Sequence, residues 1–207
     1  MNAAAPSPPL APSERADLIT KDMVRWLERA VIGLNLCPFA KGVHAKGQIH
    51  YAVSAATDAV ALAQDLRREL ADLAAAPAEV RDTTLLMAPD CLQDFLELND
   101  FLGLAEDVLE ELDLDGTLQI ASFHPQFQFA GTDAGDVTNC TNRAPYPTLH
   151  LLREDSIDRA VQAYPEAEAI YERNMEVLEQ LGMPGWQALD VGVSTAATTP
   201  ELPKDPA

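Results

Sequence analysis

The sequence predicts an α/β (α+β) protein with a single mixed sheet of about four strands and helices packed on it. Three observations lead there. Four short apolar or alternating runs are separated by longer stretches whose apolar residues recur at three- and four-residue steps. The 207 residues are 47% hydrophobic and 23% charged, enough apolar material to bury one core and too much for a disordered chain. Strands separated by helices need crossover connections, which favours parallel or mixed neighbours.

Taken in order, the first dozen residues and the stretch 194–207 are rich in Ala, Pro and Thr without a buriable period and are expected to be disordered tails around one globular domain, residues 13–193. Ser13 is a candidate cap for a first helix, in which Ile19, Met23, Trp26, Leu27, Ala30, Val31 and Leu34 form one apolar stripe that stops before Cys37-Pro38. Gln48–Val53 alternates as a strand. Thr57 then caps a helix carrying Val60, Leu62, Leu66, Leu70 and Leu73. Thr83–Ala88 is a buried strand by its length, and Asp90 caps a helix over Cys91–Leu112. Strands at Thr117–Phe123 and Thr148–Leu152 flank a long irregular stretch, His124–Pro147. Closing helices are expected near Ser156–Tyr164 and Pro165–Leu181, the second stopped by Gly182 and Pro184. An irregular connection of that length inside a compact domain is more often functional than decorative.

The formal net charge is −19, from 14 basic and 33 acidic residues. That bulk charge disfavours nucleic acid and anionic lipid, which are held by Lys and Arg neutralising phosphate. The acid is concentrated: Tyr51–Asp115 alone carries a net −13, whereas Gly116–Ile157 carries −2. Solvated helix faces account for it, and a small anionic ligand is still compatible with the weakly charged segments. No run reaches the roughly 18 apolar residues that cross a bilayer, and no basic-then-apolar leader opens the chain. With Cys37, Cys91 and Cys140 in no CxxC spacing, the expectation is a cytoplasmic protein with reduced thiols. Nothing in the sequence specifies the oligomeric state.

Three segments concentrate the chemistry-bearing side chains: Leu36–Lys41, Ser122–Gly131 and Asn139–Glu154. Cys37 is the leading nucleophile. If Cys37-Pro38 opens a helical turn, free amides and Lys41 favour its thiolate; the alternative is a cysteine packed as a small apolar residue. His124 leaves a strand end before Pro125 and can act as a base or only tie down the loop by hydrogen bonds. His150 shares a strand face with Thr148 and Leu152, opposite Leu149 and Leu151. Asn142, Arg143, Arg153 and Tyr146 are the candidate substrate contacts with Lys41. The two arginines suit carboxylate or phosphate, or alternatively satisfy backbone and Asp133 or Asp136 within the loop. GxxxxGK[ST], GxGxxG, GxSxG and HExxH are all missing from the sequence, which removes the common nucleotide, serine-hydrolase and zinc-protease assignments.

LCPFA, FHPQFQFAG, and NRAPYPTLHLLRE followed by Tyr-Pro and a Tyr-Glu-Arg-Asn helix resemble the bacterial and plant family called domain of unknown function 1415, over roughly Asp17 to Gly185. The resemblance implies a fold and a set of positions and no reaction. Where that family's pattern carries an aromatic residue this chain has Cys140, which argues against an essential thiol there.

Two function classes follow. One is a small-molecule enzyme: Cys37 as nucleophile, His124 or His150 as proton shuttle, Arg143 or Arg153 holding an anionic group, the reaction being acyl or related group transfer or hydrolysis through a thioester. The other uses the same Cys/His set to bind a metal or haem for redox or sensing. A third, non-catalytic reading makes the long loop a protein-docking surface anchored by its aromatic residues. The sequence names no cofactor.

Overall fold

The four expected strands hydrogen-bond into one mixed sheet. In the computed structural model, which describes residues 10–164, 166 and 169–194, they are β1 (Ile49–Val53), β2 (Thr83–Met87), β3 (Leu118–Phe123) and β4 (Thr148–Arg153), in the spatial order β1-β2-β4-β3. Only β1 and β2 run parallel; β4 lies between β2 and β3 and is antiparallel to both. The parallel pair is joined by a helical crossover, whereas the connection from β3 to β4 is a long loop with one 3-10 helical stretch, Val137–Asn142, and lets the chain turn back on itself.

The helices are α1 (Pro12–Trp26), continued by a π-helical segment Leu27–Ile32, then α2 (Ala40–Ala45), α3 (Ala59–Ala75), α4 (Phe95–Glu111), α5 (Glu154–Ala163) and α6 (Ile170–Ala188). Side-chain caps sit later than the spacing suggests. Asp58 accepts from the Ala61 N–H at the start of α3, and Asp94, not Asp90, accepts from Leu96 N–H at the start of α4. Asp90 is instead drawn away by a bidentate pair with Arg15. The start of α1 is held by Glu14, whose carboxylate accepts from Ala11 N–H. α6 runs past Gly182, kinking there where φ is +64°, a conformation glycine adopts without a Cβ penalty. Residues 1–9 and 195–207, most of the expected tails, lie outside the described residues, as does Pro165, the expected start of the last helix.

Strand register sorts the side chains into two layers. Leu86, Leu149, Leu151 and Leu118 face α3 and α4, whose Leu62, Leu66, Leu70, Leu98 and Phe101 are buried against them. Each such fully buried leucine contributes about 1.5–3 kcal/mol relative to exposure. The opposite face presents Leu85, Met87, Thr148, His150 and Phe123, covered in part by Ile19, Met23, Trp26 and Leu27 of α1 and its π-helical continuation. No described helix is long and apolar enough to cross a membrane.

Asp22 is the deepest charge in this second layer, with no solvent exposure. Its carboxylate accepts from Tyr146 Oη (2.8 Å), Ser194 Oγ (2.5 Å) and Ser194 N–H (2.9 Å), and pairs with Arg25 (3.0 Å). Arg25 and Arg29 also donate to carbonyls of Leu189, Asp190 and Gly192, so α1 clasps the chain beyond α6. Asp22→Ala should lower unfolding free energy by about 3 kcal/mol, because it removes at once the acceptor of the Tyr146 hydroxyl and of the Ser194 hydroxyl and amide, and the carboxylate paired with Arg25. Tyr146→Phe, which removes one hydroxyl, should cost only about 1 kcal/mol. Urea unfolding with the m value held constant checks both, and equal losses would contradict Asp22 as the common acceptor.

Candidate functional site

On the α1 face of the sheet the helices do not close completely. They leave a cavity of about 380 Å³ walled by Trp26 and Leu27, by Cys37, Phe39 and Ala40, by the strand residues Leu85, Phe123, His150 and Leu152, and by Ile157 and Ala160 of α5. The wall is largely apolar. Its polar members besides Cys37 and His150 are Asp82, Thr83, Gln119 and Ser156, and three of these are already engaged: Ser156 Oγ donates to Asp82 (2.6 Å) and Thr83 Oγ1 to the Leu151 carbonyl (2.6 Å).

Cys37 reaches this cavity because of how α1 ends. Widening into the π-helical segment makes Gly33 N–H bond to Glu28 O (3.0 Å) and Leu36 N–H to Val31 O (2.9 Å), each five residues back. Gly33 is required by close approach: a Cβ there would lie 2.3 Å from the Arg29 carbonyl oxygen. Asn35 then takes a left-handed conformation, φ +55°, and reverses the chain. Val31 O also receives Cys37 N–H (3.4 Å), while Cys37 O accepts from Ala40 N–H (3.2 Å). From α6, Asn174 Nδ2 donates to Leu36 O (2.8 Å) and Arg173 to Asn35 O (3.1 Å). Leu36 is buried beside Cys140 and Leu178. The half-buried thiol therefore sits on a turn fixed from both sides.

His150 comes from β4, 113 residues further along the chain, where Leu85 and Ala121 are its cross-strand partners. Its ring stacks obliquely on Phe123 (centroids 5.7 Å apart, planes at 32°), and Phe123 meets Trp26 edge-on at 5.1 Å. Among the described residues nothing hydrogen-bonds the imidazole, and burial alone lowers its pKa to about 4. At neutral pH it is an uncharged ring with one donor and one acceptor nitrogen.

The other residues selected from the sequence do not line this cavity. His124 is fully buried against Phe95. Its Nε2 is 3.0 Å from Leu92 O, its Nδ1 accepts from Gln126 N–H (3.0 Å), and burial lowers its pKa, so both nitrogens are spent on tying down the loop. Arg143 donates to the carbonyls of Phe127 and Ala134, satisfying the loop's backbone, with no carboxylate paired to it among the described residues. Arg153 donates to the Leu73, Ala76 and Arg81 carbonyls, closing the C-terminal end of α3. Asn142 contributes its carbonyl to His124 N–H, and Tyr146 is occupied with Asp22. Lys41 is exposed on α2. Among the described residues no arginine or lysine borders the cavity.

Sequence reading passes over Gly33, Arg173 and Asn174. Asn174 carries a legible signal: it shares a helical face with Leu178 and Leu181, and a polar residue in an apolar stripe marks a buried hydrogen bond. Among the described residues no three His, Cys, Asp or Glu side chains gather as a metal site. A broader hollow between the starts of α3 and α4 collects Asp58, Asp90, Glu97 and Asp100, with Asp90 held by Arg15. Comparison with known proteins finds a family model described as "Protein of unknown function (DUF1415)" matching residues 18–188. No curated protein and no solved structure matches the chain.

The depressed pKa of His150 has a signed consequence. The free residue titrates at 6.5 and the folded one near 4, so between those values the unfolded chain binds more protons. Its contribution to stability is complete above about pH 6.5 and is lost as pH falls toward 4. His150→Gln should remove on the order of 2 kcal/mol from the stability difference between pH 6.5 and pH 5, measured by urea unfolding at each pH. A pH slope identical to the unmodified chain would contradict an imidazole kept neutral by its place in the cavity wall.

Proposed function

Because the chain belongs to the DUF1415 family, whose description assigns no activity, function has to be read from the site, and we propose a thiol-dependent small-molecule enzyme working in the Cys37–His150 cavity. The observation that carries this reading is convergence. A fixed thiol and an imidazole with no hydrogen-bond partner among the described residues, far apart in sequence, line one part-open cavity of a size that suits a small ligand, about 300–1,000 Å³ being usual. The chemistry is acyl transfer or hydrolysis. Cys37 sulfur adds to the carbonyl carbon of an ester or thioester, the alcohol or thiol departs with the thiol proton, and water cleaves the S-acyl bond, releasing the acid and restoring Cys37. His150 hydrogen-bonds the reacting groups and passes the proton.

The arginines that would have held an anionic substrate are taken up by backbone carbonyls, so the proposal no longer assigns them a substrate role. The ligand is a small molecule, and nucleic acid and membrane lipid are not its partners, in keeping with the net charge of −19. A reducing cytoplasm suits the three free cysteines.

The thiols separate experimentally. Cys91 and Cys140 are buried, and burial raises both their pKa values, so neither is a ready nucleophile. Iodoacetamide followed by peptide mass spectrometry is expected to modify Cys37 at least ten-fold faster than the other two. Screening p-nitrophenyl and thioester substrates should reveal a turnover that Cys37→Ala abolishes and His150→Leu reduces by about 10²-fold or more. A Cys37→Ala chain with full turnover would sink the reading, and haem absorbance or stoichiometric metal in the purified protein would favour the metal alternative instead.

A further inference from the structure

Volume, charge and hydrogen-bonding capacity of the same cavity specify the kind of molecule it takes. Among the described residues Asp82 is the only lining side chain with a formal charge, and that carboxylate already accepts from Ser156 Oγ at 2.6 Å. An anion entering would lose its hydration, meet no cation, and face Asp82. A cation would find its one possible partner engaged at the rim. Trp26, Leu27, Val31, Phe123, Leu152 and Ile157 present apolar surface, which favours removing hydrocarbon from water. Besides the exposed Gln119, one polar group faces this background unpaired: the half-buried imidazole of His150, on β4 in the interior of the sheet and without a hydrogen bond among the described residues. A ligand that covers this half-buried ring has to supply the hydrogen bond that water otherwise makes, or leave the group unpaired at a cost on the order of 1–3 kcal/mol.

We infer that the cavity binds an uncharged, mainly apolar molecule carrying a single hydrogen-bonding group, set against His150, so that the substrate is a neutral ester or thioester with an apolar acyl chain. This rests on the small-molecule reading of the cavity and narrows it. The carbonyl oxygen takes the imidazole N–H, the acyl chain lies along Phe123 and Ile157, and the carbonyl carbon faces the Cys37 side. α5 forms the outer wall. None of its residues is fully buried, Ile157 and Ala160 face the cavity, and Ser156 is its polar tie to Asp82.

A matched probe pair tests the ligand class without requiring turnover. N-Phenyl-1-naphthylamine is uncharged, and 1-anilinonaphthalene-8-sulfonate is the same ring system bearing a sulfonate. Fluorescence titration of the full chain should show saturable binding of the uncharged probe at least ten-fold tighter than the sulfonate. Ala160→Trp, which fills the cavity from α5, should weaken the uncharged probe at least ten-fold, whereas Cys37→Ala should leave it bound. Without any variant, saturating uncharged probe should slow N-ethylmaleimide labelling of Cys37 at least ten-fold. Equal or tighter sulfonate binding that also protects Cys37 overturns the inference, as does uncharged-probe binding that gives no protection. No binding of either probe overturns it as well. Absence of ester and thioester turnover in the unmodified chain, or full turnover in Cys37→Ala, with selective probe binding intact, instead removes the enzyme reading and leaves the ligand class standing.

Discussion

β4 runs between two antiparallel neighbours, and its period-two alternation commits each side chain to one layer. Leu149 and Leu151 go into the core under α3 and α4, where they are buried. Thr148, His150 and Leu152 are thereby sent to the α1 side. A one-residue slip would put an imidazole among the leucines of the main core and a leucine in its place. The position of His150 is thus a consequence of the best-packed part of the molecule. Its cost, a half-buried neutral ring without a hydrogen bond among the described residues, is borne where the covering helices stop short of closing the sheet.

The second half of the site depends on backbone irregularity. α1 widens into a π-helical turn before Gly33, Asn35 reverses the chain, and Val31 O gathers the amides of Leu36 and Cys37. Asn174 and Arg173 hold the carbonyls of the same turn. Local unwinding of this kind is found often at functional sites, because it sets down a side chain where a regular helix would not. Two unrelated constraints, strand alternation and a helix end, aim a histidine and a cysteine into one volume.

Much of the fold is legible in the sequence because its signals are periodic. The four strands lie within a residue or so of their alternating runs, and the stripe from Ile19 to Val31 is the buried face it reads as. The order of strands is not legible, since it depends on which long-range pairs pack best. The caps at Asp58 and Asp94 illustrate a second limit: several acceptors lie within reach of each helix start, and only geometry selects among them. In the site, Cys37 and His150 could be singled out by residue type and placement. The roles of His124, Arg143 and Arg153 could not, because a side chain suited to gripping a substrate is equally suited to satisfying an irregular backbone. Here the loop after β3 and the end of α3 claim all three. The sequence charge has the same ambiguity: its weakly charged middle segment is compatible with an anionic ligand until its arginines are seen bonded to carbonyls.

The most direct measurement is a crystal structure of the full chain alkylated at Cys37 with N-phenylmaleimide. The phenyl ring is expected inside the cavity between Phe123 and Ile157, with a maleimide carbonyl within hydrogen-bond distance of the His150 ring. An adduct lying on the outer surface, with the cavity unfilled and His150 untouched, would contradict the convergence of thiol and imidazole on one binding site.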